Sequence, residues 1–210
     1  MSASRTRLLV VTALAAAASQ PLVAAPDAAK LIAGLARKAP ASIAFAEVRF
    51  SSLLREPLIV SGNLAYGGPG NLERQVARPY RETTTIRGES ARIEREGEEP
   101  HTFALKHAPE LQGFLRAFGA LLAGDTATLE KSFAVAASGD DSRWQLELTP
   151  TDSRTRRRVR TIVVNGRNDE PRCVATLDVQ GGGSVLLLGA ATAVAPYTSL
   201  DDLLAQCRAE

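Results

Sequence analysis

One stretch limits the architecture more than any other. From Pro109 to Gly124, Leu111, Phe114, Leu115, Phe118, Leu121 and Leu122 recur at the spacing of one helical face. Proline opens the segment where a missing N–H costs nothing, and Gly124 stops it. An apolar stripe this wide must pack on something large. Elsewhere the chain offers strands with one wet face. Leu58, Val60, Leu64 and Tyr66 share a parity, with Gly62 between them, while Ser61 and Asn63 point the other way. Trp144, Leu146 and Leu148 alternate with Gln145, Glu147 and Thr149 in the same manner. A curved sheet closed by a helical plug satisfies both patterns at once.

The remaining segments fit that scheme. Asp27 to Lys38 reads as a short amphipathic helix, with Leu31, Ile32 and Leu35 on one stripe and Pro40 ending it. Ile43 to Leu54 has mixed β character, and Gly67-Gly68-Pro69-Gly70 turns the chain. Leu72 to Phe103 offers two or three polar strands around Gly88 and Gly97, and Thr128 to Phe133 one further helical turn. Ile162 and Val164 run into Asn165-Gly166, a hairpin signal. Leu177 and Val179, then three glycines, then Val185 to Leu188 predict a second hairpin. Ser199 and Asp202 form a capping-box pattern ahead of Leu203 and Leu204. The expectation is one α+β domain over residues 26–210, with about nine to eleven strands.

Residues 1–25 read as a secretory signal peptide. Arg5 and Arg7 give a positive start, and the apolar run Leu8 to Ala18 is too short to settle across a ~30 Å hydrocarbon core. Cleavage is expected after Ala18 or Ala24, and no cysteine lies nearby to carry a bacterial lipoprotein anchor. Without Arg5 and Arg7 the 25 basic residues fall to 23, equal to the 23 acidic ones. A neutral exported chain has no general attraction for nucleic acid, and aromatic residues at 5% make a base-stacking platform a poor fit. An exported, soluble, periplasmic monomer is the expectation. In an oxidising compartment Cys173 and Cys207 are candidates for a disulfide; the alternative is a semi-buried strand cysteine and a free thiol near the terminus.

Chemistry is sparse. The chain has no nucleophile elbow, phosphate loop, dinucleotide fingerprint or H-E-x-x-H motif. His101 and His107 lack a third ligand of obvious spacing, so no metal or other cofactor is expected. Glu94, Glu96, Glu98 and Glu99 sit among Arg92 and Arg95 and read as a solvated hairpin edge. The run Arg154, Arg156, Arg157, Arg158 and Arg160 reads as a charged loop and strand start, with docking on an acidic protein surface or lipid headgroups as the alternative. No enzyme activity is implied. What remains is shape: a sheet and helix that either hold an apolar ligand between them or fill the space with their own side chains.

A resemblance favours the first option. Leu115 to Asp125, Leu129 to Phe133 and Trp144 to Pro150 resemble segments of the LolA-like periplasmic outer-membrane lipoprotein carriers, in a divergent branch of that family. Phe45 to Phe50, Pro57-Leu58 and Ser61 to Tyr66 resemble its first strands, and Ile162 to Gly166 its later hairpin. The resemblance implies an open, incomplete antiparallel β-barrel with a helical lid. It also implies acyl chains of a lipid or lipoprotein as ligand, an inner-membrane donor and an outer-membrane acceptor. An Arg-Pro that fastens lid to barrel in those carriers is matched here by Gly68-Pro69, so that arginine is absent. The residues expected to face the groove are Leu58, Val60, Leu64, Tyr66, Leu146, Leu148, Ile162 and Val164 from strands, with Leu115, Phe118 and Leu122 from the helix. The alternative is a non-catalytic envelope interaction or structural protein with a filled core.

Overall fold

The alternating segments form eleven strands of one antiparallel sheet in this computed structural model, which describes residues 26–192 and 199–209. The signal peptide expected over residues 1–25 lies outside the described residues. The chain begins with α1 (Ala28–Gly34) and six strands: β1 (Ala41–Phe50), β2 (Leu58–Gly68), β3 (Asn71–Arg78), β4 (Glu82–Arg87), β5 (Ser90–Arg95) and β6 (His101–Ala104). Two helices follow, α2 (Pro109–Ala123) and α3 (Thr126–Glu130), then β7 (Phe133–Gly139), β8 (Trp144–Pro150) and α4 (Ser153–Arg156). The chain closes with β9 (Val159–Arg167), β10 (Glu170–Asp178), β11 (Gly183–Leu188) and α5 (Leu200–Ala209).

Strand order is β6-β5-β4-β3-β2-β1-β11-β10-β9-β8-β7. Two meanders therefore meet at the β1–β11 pair, where Phe45 faces Leu188 in register. The outer strands β6 and β7 do not pair with each other, so the sheet is an α+β open barrel, as the sequence and the resemblance predict. Its concave face holds the main core: Phe45, Val60, Trp144, Leu146, Ile162 and Val164 pack in one cluster with Ile32, Phe118 and Leu121 from the helices. The four consecutive apolar residues of β11 are explained by burial on both faces. Leu186 and Leu188 join the concave cluster, while Val185 and Leu187 pack with Leu203 of α5 on the other side. Cys173 and Cys207 are joined by a disulfide with Cα atoms 5.8 Å apart, which ties α5 to β10.

Local chemistry sets the boundaries. Asp27 caps α1 by accepting from the N–H groups of Ala29 and Lys30 at 2.9 and 3.3 Å. The helix ends at Gly34 rather than Lys38, because the Arg37 guanidinium donates to the carbonyls of Gly34, Leu35 and Ala36. Gly124 ends α2 with φ 66°, and a Cβ there would lie 3.0 Å from that of Ala36. The Ser199–Asp202 pair caps α5, with the Asp202 N–H donating to Ser199 Oγ at 3.1 Å.

Three further expectations change. Residues 71–104 hold four strands instead of two or three, because the chain also reverses at Pro79 between β3 and β4. Asn165-Gly166 is not a turn; both lie inside β9, and the chain turns at Asn168, whose φ is 53°. Gly166 is needed for close approach: a Cβ would fall 2.2 Å from the Trp144 ring, whose Nε1 donates to the Asn168 carbonyl at 2.7 Å. Phe133 begins β7 instead of ending a helical turn, since α3 stops at Glu130.

Candidate functional site

α2 lies across the concave face, and where β1 begins and β2 ends it leaves space. Register brings Ala41 opposite Tyr66 and Ile43 opposite Leu64. There a cavity of about 380 Å³ opens between sheet and helix. Leu64 and Tyr66 form its sheet wall with Leu72, Ile43 and Leu188, and Phe118 and Leu122 close the helix side. Phe118 is held by stacking on Phe114 with ring centroids 5.6 Å apart. Leu122 stays partly exposed, and its carbonyl accepts from the Arg37 N–H at 2.8 Å, so the chain after α1 is fixed to the end of α2.

The structure thus brings Leu64, Tyr66, Phe118 and Leu122 together at one cavity. It places the other seven expected groove residues elsewhere. Val60, Leu146, Leu148, Ile162 and Val164 are at most 1% exposed and sit in the packed cluster that includes Leu129 and Phe133, with Leu58 packed against it. Leu115 faces a smaller cluster around Ile86, Ala91 and Leu105. The cavity occupies one end of the barrel; the middle of β8 and β9 is filled by side chains.

Two arginines, Arg37 and Arg172, and the carboxylate of Glu170 line the same cavity, and the apolar pattern gave no reason to look for them. Arg37 reaches from the segment after α1 to the carbonyl of Asp169 in the β9–β10 turn, so it joins the helical layer to the sheet. Gly68 and Pro69 supply no side chain of that kind, and Arg37 makes a lid-to-sheet tie from the opposite partner. Arg172 on β10 is mostly buried, with its side chain 21% exposed. Its Nε is shielded from solvent and has no hydrogen-bond partner; the Glu170 carboxylate is 3.9 Å away and itself largely exposed.

A second charged group crosses the sheet nearer the other end of β1. Glu47 is 8% exposed and accepts from Arg49 at 2.7 Å and from Arg74 at 2.5 Å. Arg74 lies over the Phe45 ring at 4.9 Å and is 3.6 Å from Glu82, which Arg95 binds at 2.6 Å. Burial pushes the Glu47 carboxyl up, but hydrogen bonds and charge from Arg49 and Arg74 outweigh it and leave the pKa lowered. The network leaves Glu47 ionised and paired, which suits structure rather than proton transfer.

The remaining candidates stay apart. Among the described residues no three His, Cys, Asp or Glu side chains come together to hold a metal ion. His101 stacks on Phe103, and Glu94 and Glu98 pair with Arg92 and Arg95 at the sheet edge. Arg154, Arg156, Arg157, Arg158 and Arg160 are all exposed, along α4, the turn after it and the start of β9. Among the described residues no helix is long and apolar enough to cross a membrane.

A family model described as outer membrane lipoprotein carrier protein LolA-like matches residues 16–209. Curated protein sequences give no match. Among solved structures, similarity is found to the LolA superfamily protein NE2245 from Nitrosomonas europaea, at 14% identity and TM-score 0.39 over 80% of this chain and 92% of that one. LprF from Mycobacterium bovis is similar at 10% identity and TM-score 0.36, over 83% and 99%. The Pseudomonas aeruginosa MucA/MucB complex is similar at 13% identity and TM-score 0.42, over 85% of this chain and 60% of that one.

Proposed function

The chain belongs to the outer membrane lipoprotein carrier protein LolA-like family, and from that premise we propose that it carries the acyl part of a lipid or lipoprotein in the cavity under α2. The observation that carries this reading is the cavity itself: a largely apolar space of about 380 Å³ left between Leu64, Tyr66 and Leu72 on the sheet and Phe118 and Leu122 on the helix, with Arg37, Glu170 and Arg172 at its polar side. Binding needs no catalysis. Each methylene moved from water into that space contributes ~0.8 kcal/mol, so about a dozen contribute ~10 kcal/mol before the entropy of association is subtracted. Affinity of that size makes release the step to be managed. In this reading α2 and the Arg37 segment are the wall that moves, giving up the Arg37 bond to the Asp169 carbonyl and the packing of Phe118 and Leu121 on the sheet.

In this reading the protein works in the periplasm as a monomer, between an inner-membrane donor and an outer-membrane acceptor. Export is tested by intact mass: the mature chain begins between Ser19 and Ala25, and a membrane-bound product retaining Met1 contradicts it. Binding is tested by titrating a fluorescent acyl probe. Saturable enhancement that falls on Leu122→Ala is expected, and no binding by the wild type would remove the carrier reading.

A second reading has its own observation. The tight burial of Val60, Leu146, Leu148, Ile162 and Val164 is that of a filled core. An envelope interaction protein with such a core would bind no acyl probe at all.

A further inference from the structure

Resting on the acyl-carrier reading, we propose that the ligand of this cavity is a single-chain amphiphile whose anionic oxygen headgroup is bound by Arg172, in the positive field of Arg37. Volume sets the number of chains. A methylene takes about the room of a water molecule in the liquid, ~30 Å³. The 380 Å³ cavity therefore holds about a dozen methylenes, which is one acyl chain and not two or three.

Charge sets the head. Two guanidinium groups, Arg37 and Arg172, and one carboxylate, Glu170, line an otherwise largely apolar space, so its wall carries one positive charge in excess. Each hydrogen bond that the Arg37 guanidinium makes among the described residues ends on a carbonyl, at Gly34, Leu35, Ala36 or Asp169. Carbonyls satisfy its donors but leave its net charge at the mouth. Arg172 has the Glu170 carboxylate beside it at 3.9 Å, which is beyond hydrogen-bond distance and largely exposed, so its buried Nε still donates to nothing. A buried charged donor without an acceptor is costly, and such groups are rare in folded proteins. An anionic oxygen at this position supplies the missing acceptor and balances the excess charge that Arg37 leaves at the mouth beyond the Arg172–Glu170 pair. The planar fork of a guanidinium suits a carboxylate and a phosphate equally. The shared chemistry is thus an anionic oxygen group at the end of one chain, whether a fatty acid or a single-chain phosphate ester supplies it.

The test displaces a neutral fluorescent naphthylamine probe from the full protein with dodecanoate, dodecyl phosphate and dodecanol. These ligands share a chain and differ only in the head. Either anion is expected to displace the probe at about a tenfold lower concentration than the alcohol, the usual gain of a charge-assisted hydrogen bond. Whichever anion is tighter names the source of the head. The preference should shrink with added salt in the wild type, a readout that needs no variant. R172Q should remove it while leaving dodecanol binding intact, and R37Q should reduce it less. Equal displacement by alcohol and anions overturns the headgroup assignment and leaves the acyl-carrier reading standing. So does an R172Q protein that keeps both its urea midpoint and the preference. Failure of all three ligands to displace the probe, or of the probe to bind, overturns the carrier reading itself.

Discussion

Replacing Glu47 by Gln takes a negative charge from a place that water barely reaches. Its two oxygens accept from Arg49 at 2.7 and 3.2 Å and from Arg74 at 2.5 Å. Glutamine keeps the volume and one acceptor but turns a donor toward a guanidinium. Removing one partner of a buried ion pair costs ~3–5 kcal/mol in general. Two features lower that here. The Arg49 side chain is 43% exposed and can turn to water, and Arg74 keeps Glu82 at 3.6 Å. The expected loss is about 2–3 kcal/mol at neutral pH. The sign with pH follows from the lowered pKa of Glu47. A carboxyl whose folded pKa lies below its unfolded one contributes fully above the unfolded value, and the contribution is lost as pH falls through the folded one. Urea unfolding of both proteins at neutral pH and again in acid reads this directly, given equal slopes. The gap should close in acid, where the wild-type carboxyl is protonated too. Coincident midpoints at neutral pH, or a gap that persists unchanged in acid, would refute the reasoning.

Leu146→Ala should cost ~2–5 kcal/mol, because its side chain is wholly enclosed, whereas Leu122→Ala at the cavity wall should cost about 1 kcal/mol. Thermal and urea unfolding rank the two, and a reversed order would mean that the space under α2 is packed. Breaking the Cys173–Cys207 link by Cys207→Ser should lower stability by about 3 kcal/mol and expose the amides of α5 to exchange first. Unchanged exchange in 200–209 would show that Leu203 and its neighbours hold the helix without the bond.

Much of this fold was legible because it rests on periodicity. The stripe from Leu111 to Leu122 and the parity of Leu58 to Tyr66 need only the geometry of a helix and a strand, and both elements stand where those patterns put them. Gly166 misled because a glycine after asparagine has two uses. The one in force, room for the Trp144 ring, depends on a strand that pairs across the sheet. The cavity was half legible for the same reason. Leu64, Tyr66, Phe118 and Leu122 are apolar residues on the right faces, but so are Leu146 and Ile162, and pattern cannot separate a wall from a packed interior. Arg37 and Arg172 gave no signal at all. Their meeting at one mouth follows from the strand order that sets β10 beside β11 and β11 beside β1, with Arg37 leading into β1. Only the register makes an isolated arginine a neighbour of the cavity.

Native mass spectrometry of the protein purified from its own cells tests acyl carriage most directly. A population heavier than the bare chain by the mass of one lipid, lost from Leu122→Ala, is the result the carrier account predicts. A single species at the mass of the bare chain, with the amides of 111–122 already exchanging only by global unfolding, would contradict it.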